Sequence, residues 1–271
     1  MFTKLTNKTK NIIKISIAII LVIAICSAIP SHIEQYYCSQ MLEAIKENDM
    51  EKLQKALEKG NPNSILGIPW IEQYFIEWYR VTPLQKACEL GNFEMVKLLV
   101  ENGADVNYYP PNAWANALYF AAECDSPEKF EMIRYLIKNG AVAEHPYPIS
   151  QFLDDWKFTP DDMEILRELV AVGARVYDGD FWDACYMQAE EAIRFFIEEV
   201  DLDYTDPYLI RCYCSLMDNY SYETLEALMK KGANPYAKDE YGISAMDRLR
   251  EKHPDREEKL AELAKKYGYE E

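Results

Sequence analysis

Three histidines, His32, His145 and His253, and seven cysteines are the side chains of this 271-residue chain best suited to hold a metal or attack an electrophile. A zinc hydrolase needs ligands at fixed spacing, as in H-E-x-x-H, and none of the three histidines sits in such a frame. Nucleotide chemistry and acyl transfer also lack their signatures, for there is no P-loop, no G-x-G-x-x-G and no G-x-S-x-G. Asp201, Asp203 and Asp206 alternate as calcium ligands can, but the glycine and terminal glutamate of a calcium loop are missing. No metal and no cofactor is expected. What the chain offers instead is material for recognition: 20 tyrosines, 5 tryptophans and 46 carboxylates.

The carboxylates are unevenly spread. Overall the chain carries 29 basic and 46 acidic side chains, a net −17, with 49% apolar and 28% charged residues, values of a globular protein with a sizeable core. Residues 1–30 hold Lys4, Lys8, Lys10 and Lys14 and no acid, so the rest sets 25 bases against 46 acids, a net −21. A body this acidic is repelled by phosphate backbones, which excludes nucleic acid as the expected partner. Residues 151–206 alone set 16 acids against Lys157, Arg167, Arg175 and Arg194.

The elements that must position these residues recur along the chain. Residues 82–107 open with Thr82-Pro83-Leu84, pass Ala87-Cys88 and Gly91, and close with Leu98-Leu99-Val100-Glu101-Asn102-Gly103-Ala104-Asp105-Val106-Asn107. Thr82 is placed to cap a helix with Pro83 at its first position, Ala87 and Cys88 are small enough for close helix packing, and Gly103 supplies a left-handed stop. The pattern T-P-L-x-x-A, glycine, V-x-x-L-L-x-x-G-A-x-V-N closely resembles the ankyrin repeat. It recurs with decay: Asn116-Ala117-Leu118 opens a unit that closes at Gly140-Ala141, and further closes come at Gly173-Ala174 and Gly232-Ala233. A unit ending at Val200 lacks the glycine, residues 53–60 read as a first capping unit, and residues 254–267 as a polar, Lys/Glu-rich last helix. The closing glycines 60, 103, 140 and 173 are 43, 37 and 33 residues apart, around the expected period of about 33.

The resemblance implies an all-α, ankyrin-repeat solenoid of stacked helix-turn-helix units, about seven pairs over residues 31–271 with the first and last capping. An open solenoid gives its carboxylates no closed, low-dielectric cleft, so neither catalysis nor a small-molecule substrate is expected, and a protein partner is. Cys88 and Cys185 each follow an alanine at one repeat position and read as small packing residues, as do Cys124, Cys212 and Cys214. Tyr119, Tyr135 and Tyr186 fall on predicted helices and read as packing residues too.

Departures from the repeat are where a binding surface would have been added. The tip between Asn63 and Thr82 is long and places Ile71, Tyr74, Phe75 and Trp78 at i, i+3, i+4 and i+7, an amphipathic pattern. Trp70, Tyr74, Phe75 and Trp78, followed at the next tips by Tyr108, Tyr109, Trp114 and Tyr147, are the candidate partner-binding residues, because aromatic anchors dominate interface energetics. In ankyrin proteins such tips line the concave face. The competing readings are contact with a membrane surface and a fold-back that covers the first repeats. Asp154, Asp155, Glu190, Glu191, Glu198, Glu199, Asp201 and Asp203 form a candidate acidic patch, suited to steering a basic partner or simply to solvating an outer face.

Residues 12–29 contain one charge, Lys14, and span roughly 27 Å as a helix, enough to anchor in a bilayer if Lys14 snorkels. Residues 1–30 therefore read as a membrane anchor or a cleaved secretory signal, with Cys26-Ser27-Ala28 a tolerable cleavage site. In both cases the Lys-rich end stays cytoplasmic and residues 31–271 lie outside, single-pass or secreted into the periplasm. The function expected is a non-catalytic interaction module, in its sharpest form an immunity or inhibitor protein, the alternative being a structural tether or assembly factor for a membrane complex.

Overall fold

The computed structural model describes residues 32–66, 81–110, 115–143, 149, 159–218 and 221–271. These fall into two compact units divided between Met132 and Ile133. The apolar stretch 12–29 lies outside the described residues, and none of the described helices is long and apolar enough to cross a membrane.

In the first unit, α1 (residues 32–47) is followed by α2 (Met50–Leu57), α3 (Pro83–Glu89), α4 (Phe93–Glu101), α5 (Ala117–Glu123) and α6 (Lys129–Lys138), which crosses the division. Each start is written in the sequence. The Thr82 hydroxyl accepts from Gln85 N at 3.1 Å while Thr82 N donates to Gln85 Oε1 at 2.9 Å, a reciprocal cap ahead of Pro83. Asp49, Asn92 and Asn116 accept from Lys52, Met95 and Tyr119 backbone N–H groups in the same way. Helix α3 packs on α5 and α4, and α2 on α4. Ala87, Cys88, Ala121 and Ala122 are fully or almost fully buried, so the first helices of successive pairs approach closely there. Leu53, Leu84, Leu99 and Leu118 fill the space between them, each contributing about 1.5–3 kcal/mol by leaving water.

The second unit holds α7 (Pro160–Ala171), α8 (Asp178–Tyr186), α9 (Glu190–Glu199), α10 (Pro207–Leu216), α11 (Tyr222–Lys230), α12 (Ala245–Lys252), a short 3-10 turn (Pro254–Arg256) and α13 (Glu257–Lys266). Thr159 caps α7, with Asp162 N donating to the Thr159 hydroxyl and Thr159 N to Asp162. Helix α10 packs on α8 and α12, α9 on α8 and α11, and α13 on α11 and α12. First helices thus stack on first helices and second on second, the arrangement the repeats require. Among the described residues the only β pairing is an isolated bridge, Lys238 with Ser244.

Helix ends follow the glycines. Gly103, Gly140, Gly173 and Gly232 all take positive φ, and at Gly103 the backbone N–H groups of Asn102 and Ala104 return to Leu98 and Leu99 carbonyls. The unit without a glycine ends differently. Val200 is extended and its N–H donates to Phe196 O at 3.0 Å, and the buried Tyr204 hydroxyl adds a second bond to the same carbonyl at 2.6 Å.

The turns inside the pairs carry the bonds that fix one repeat against the next. Asn48, Gly91 and Gln188 all sit there with positive φ. Asn92 Nδ2 donates to Asn48 Oδ1 at 2.5 Å, and Ser126 Oγ to Gly91 O at 3.0 Å. In the second unit Gln188 Nε2 donates to Leu216 O at 2.8 Å and its Oε1 accepts from Asp218 N at 3.0 Å. Gln188 holds an unfavourable left-handed backbone because its amide bridges to the next turn.

Candidate functional site

Two surfaces stand out, one in each unit. In the first unit α1, α3 and α5 present their exposed edges side by side and form a groove of about 490 Å³ lined by Leu42, Lys46, Leu66, Val81, Lys86, Glu89, Phe120 and Glu123. Leu42, Leu66, Val81 and Phe120 give it an apolar floor, and the charged side chains its rim. Lys86 Nζ lies 2.8 Å from Glu89 Oε1. Partial burial pushes the Glu123 carboxyl up, and the neighbouring charge of Glu89 adds to this. A second hollow between α1 and α2, about 330 Å³, is lined by Tyr36, Tyr37 and Ala56 together with Lys52 and Lys55, which are paired with Glu43, Glu47 and Glu51.

The fingers of the first unit are tied down from below. Asn63 Nδ2 donates to Gly103 O at 3.1 Å and Asn63 Oδ1 accepts from Asp105 N at 2.7 Å, linking one finger to the next. Gln85 Nε2 donates to both Tyr108 O and Ala115 O at 3.2 Å. Tyr108 is half-buried and Tyr109 exposed, so of this pair Tyr109 reaches solvent. Trp70, Tyr74, Phe75, Trp78, Trp114 and Tyr147 lie outside the described residues, as do Asp154 and Asp155.

The rest of the acidic patch divides in two. Glu191, Glu198, Glu199, Asp201 and Asp203 are exposed. Glu199 bridges to Arg167 at 2.6 Å, and Asp203 accepts from the Thr205 hydroxyl at 2.6 Å. Glu190 turns inward instead. It accepts from the Tyr213 hydroxyl at 2.9 Å and from the Thr224 hydroxyl, and Arg194 Nε stands 3.5 Å away. Tyr213 is fully buried, so Glu190 anchors a polar network between α9, α10 and α11 rather than a surface.

The second surface was not legible as one. Trp182 and Tyr186, four residues apart on α8, stack with ring centroids 5.3 Å apart and planes at 6°. Both are exposed, Trp182 at 37% and Tyr186 at 49%. Tyr186 is therefore not the packing residue its helix suggested, whereas Tyr119 is buried as expected. The available signal was the flanking of Ala184-Cys185, the buried pair that fixes which way α8 faces.

Beside this surface Asp180 is buried, accepting from Tyr177 N at 2.7 Å. Loss of hydration pushes its carboxyl up to about 7, the Tyr177 N–H opposes the shift, and Asp183 adds to it. A carboxyl raised in the folded state binds its proton more tightly there than in the unfolded chain. Its stabilising contribution is complete below the unfolded value near 3.8 and disappears as pH rises through about 7. Between about pH 6 and about pH 8.5 the protein should lose about 1 kcal/mol more stability than Asp180→Asn does, read from urea midpoints. Parallel pH profiles for the two proteins would show that Asp180 titrates as an ordinary surface acid.

The six described cysteines are free and buried, and burial raises the thiols of Cys88, Cys185 and Cys214. They belong to helix packing. Among the described residues no group of three or more His, Cys, Asp or Glu side chains is arranged to hold a metal.

A family model described as ankyrin repeats in three copies matches residues 41–146. The crystal structure of the human ASB11 ankyrin repeat domain superposes with a TM-score of 0.55 at 21% identity, covering 82% of this chain and 96% of that one. No curated protein matches the chain. Residues 41–146 match ankyrin repeats, and the described residues share the fold of an ankyrin-repeat solenoid. The repeats indicate a protein–protein interaction module, and the likeness to the human domain is one of fold.

Proposed function

We propose that this protein is a non-catalytic interaction module that holds a protein partner in the groove of its first unit and is displayed on the non-cytoplasmic side of a membrane. The observation that carries the reading is the groove itself. Its apolar floor, charged rim and open mouth match the anatomy of an interface, an apolar core ringed by polar side chains. Trp70, Tyr74, Phe75, Trp78 and Trp114, which lie outside the described residues, are further candidate anchors for the same partner. The net −21 of residues 31–271 favours a basic partner, and residues 12–29, behind Lys4, Lys8 and Lys10, favour display through a membrane segment.

One experiment tests both halves. A C-terminal tag should be reached by antibody on intact spheroplasts and should bring a partner with it, whereas Leu66→Asp combined with Glu123→Lys should lose at least about tenfold of that partner with an unchanged helical melt. Both positions are exposed, so the pair of substitutions leaves the core intact. Unchanged capture would remove the groove from the account, and a tag out of reach would remove the outward display.

A further inference from the structure

One face of α8 is exposed to solvent. Asp178, Trp182 and Tyr186 stand at i, i+4 and i+8, about 6 Å apart along the axis on one side of the helix, and all three are exposed. Two large, partly exposed aromatic rings stacked in parallel on a first helix are a feature that interfaces select. At the other end of the stripe, partial burial raises the Asp178 carboxyl and the charges of Asp206 and Asp203 raise it further. Asp178 thus sits in the field of two further carboxylates, which an incoming cation would relieve.

We infer that this face docks an arginine-bearing basic segment of the partner, a reading that rests on the protein's role as an interaction module. A guanidinium is planar and weakly hydrated, so it lies flat on an indole or phenol face while its N–H donors reach carboxylates. The stripe supplies both halves, rings at Trp182 and Tyr186 and acid at Asp178. Lysine would satisfy the charge but not the stacking. Anionic lipid headgroups, the other occupant an aromatic pair could take, are repelled by the same acids and by the 16 acids against 4 bases of residues 151–206.

The test uses the full chain in detergent and a fluorescently labelled hexa-arginine peptide, with hexa-lysine and hexa-glutamate as comparisons. Leucine at both aromatic positions, Trp182→Leu with Tyr186→Leu, keeps bulk and apolarity, removes the π faces and changes no charge. Hexa-arginine should bind more tightly than hexa-lysine, and the two leucines should weaken it about tenfold and abolish the difference between the cations. Asp178→Asn should weaken both cations about threefold, and hexa-glutamate should not bind. An affinity for hexa-arginine that ignores the two leucines would overturn the inference, because general attraction to an acidic protein does not need rings. Binding of phosphatidylglycerol vesicles through the same residues would overturn it too, as would a dimer that the leucines dissolve. Should the leucines have no effect while the groove substitutions still lose the partner, only this inference falls; unchanged capture by the groove variant as well would bring down the function reading with it.

Discussion

Replacing Glu190 by alanine is expected to lower the unfolding free energy by about 2–3 kcal/mol. Glu190 receives the hydroxyls of Tyr213 and Thr224 and lies near Arg194, and its residue opens α9, where a negative charge also favours the helix dipole. Tyr213 has no exposed surface, so its hydroxyl cannot turn to water when the carboxylate goes. It would keep the N–H of Ser221, which donates to it at 2.7 Å, but its own proton would lose the charged acceptor and fall back on neutral ones, the Ser221 carbonyl at 3.4 Å and the Thr224 hydroxyl. Arg194 retains Glu223 at 2.9 Å, which limits the loss. Urea denaturation of the two proteins measures the difference. A change below about 0.5 kcal/mol would mean that Glu190 is a solvated surface acid after all.

Gly91→Ala should be comparably damaging, about 2–4 kcal/mol, through three separate effects. The backbone there has φ +67°, which costs an L side chain about 1 kcal/mol. A Cβ would lie 2.5 Å from Ser126 Cβ, inside the distance any real pair of carbons tolerates, so the turn must move. Moving it breaks the bond from Ser126 Oγ to Gly91 O that ties one repeat to the next. Gly103→Ala is the matching control: its φ is +88° but nothing lies within 4 Å of the added carbon, so only the backbone strain of about 1 kcal/mol remains. Combining Gly91→Ala with Ser126→Gly should recover part of the loss, and full additivity would contradict the steric argument.

The fold was legible because its local signals are short-range. Thr82 with Gln85, Thr159 with Asp162, Asn116 and the glycines at 103, 140, 173 and 232 each satisfy backbone groups within a turn of themselves, and the sequence pattern and the observed bonds agree. What stayed hidden depends on partners far along the chain. Glu190 points inward because Tyr213 and Thr224, 23 and 34 residues later, are there to receive it. Gln188 occupies a position that a glycine would announce, and only its bonds to Leu216 and Asp218 explain a glutamine there. Tyr186 reads as a packing residue because an aromatic on a helix usually is, and the face it shares with Trp182 is decided by Ala184 and Cys185 packing inward. The groove assembles from residues as distant as Leu42 and Glu123, which no motif connects.

Site-specific photo-cross-linking from benzoylphenylalanine placed at Leu66 and at Glu123, in the cells that make the protein, tests the central claim most directly. Glu101 and Glu131, exposed on the second helices α4 and α6, serve as controls. One discrete protein adduct from both groove positions and none from the controls is the result predicted. Equal labelling from all four positions, or none from the groove, would contradict the claim that this surface is where the partner sits.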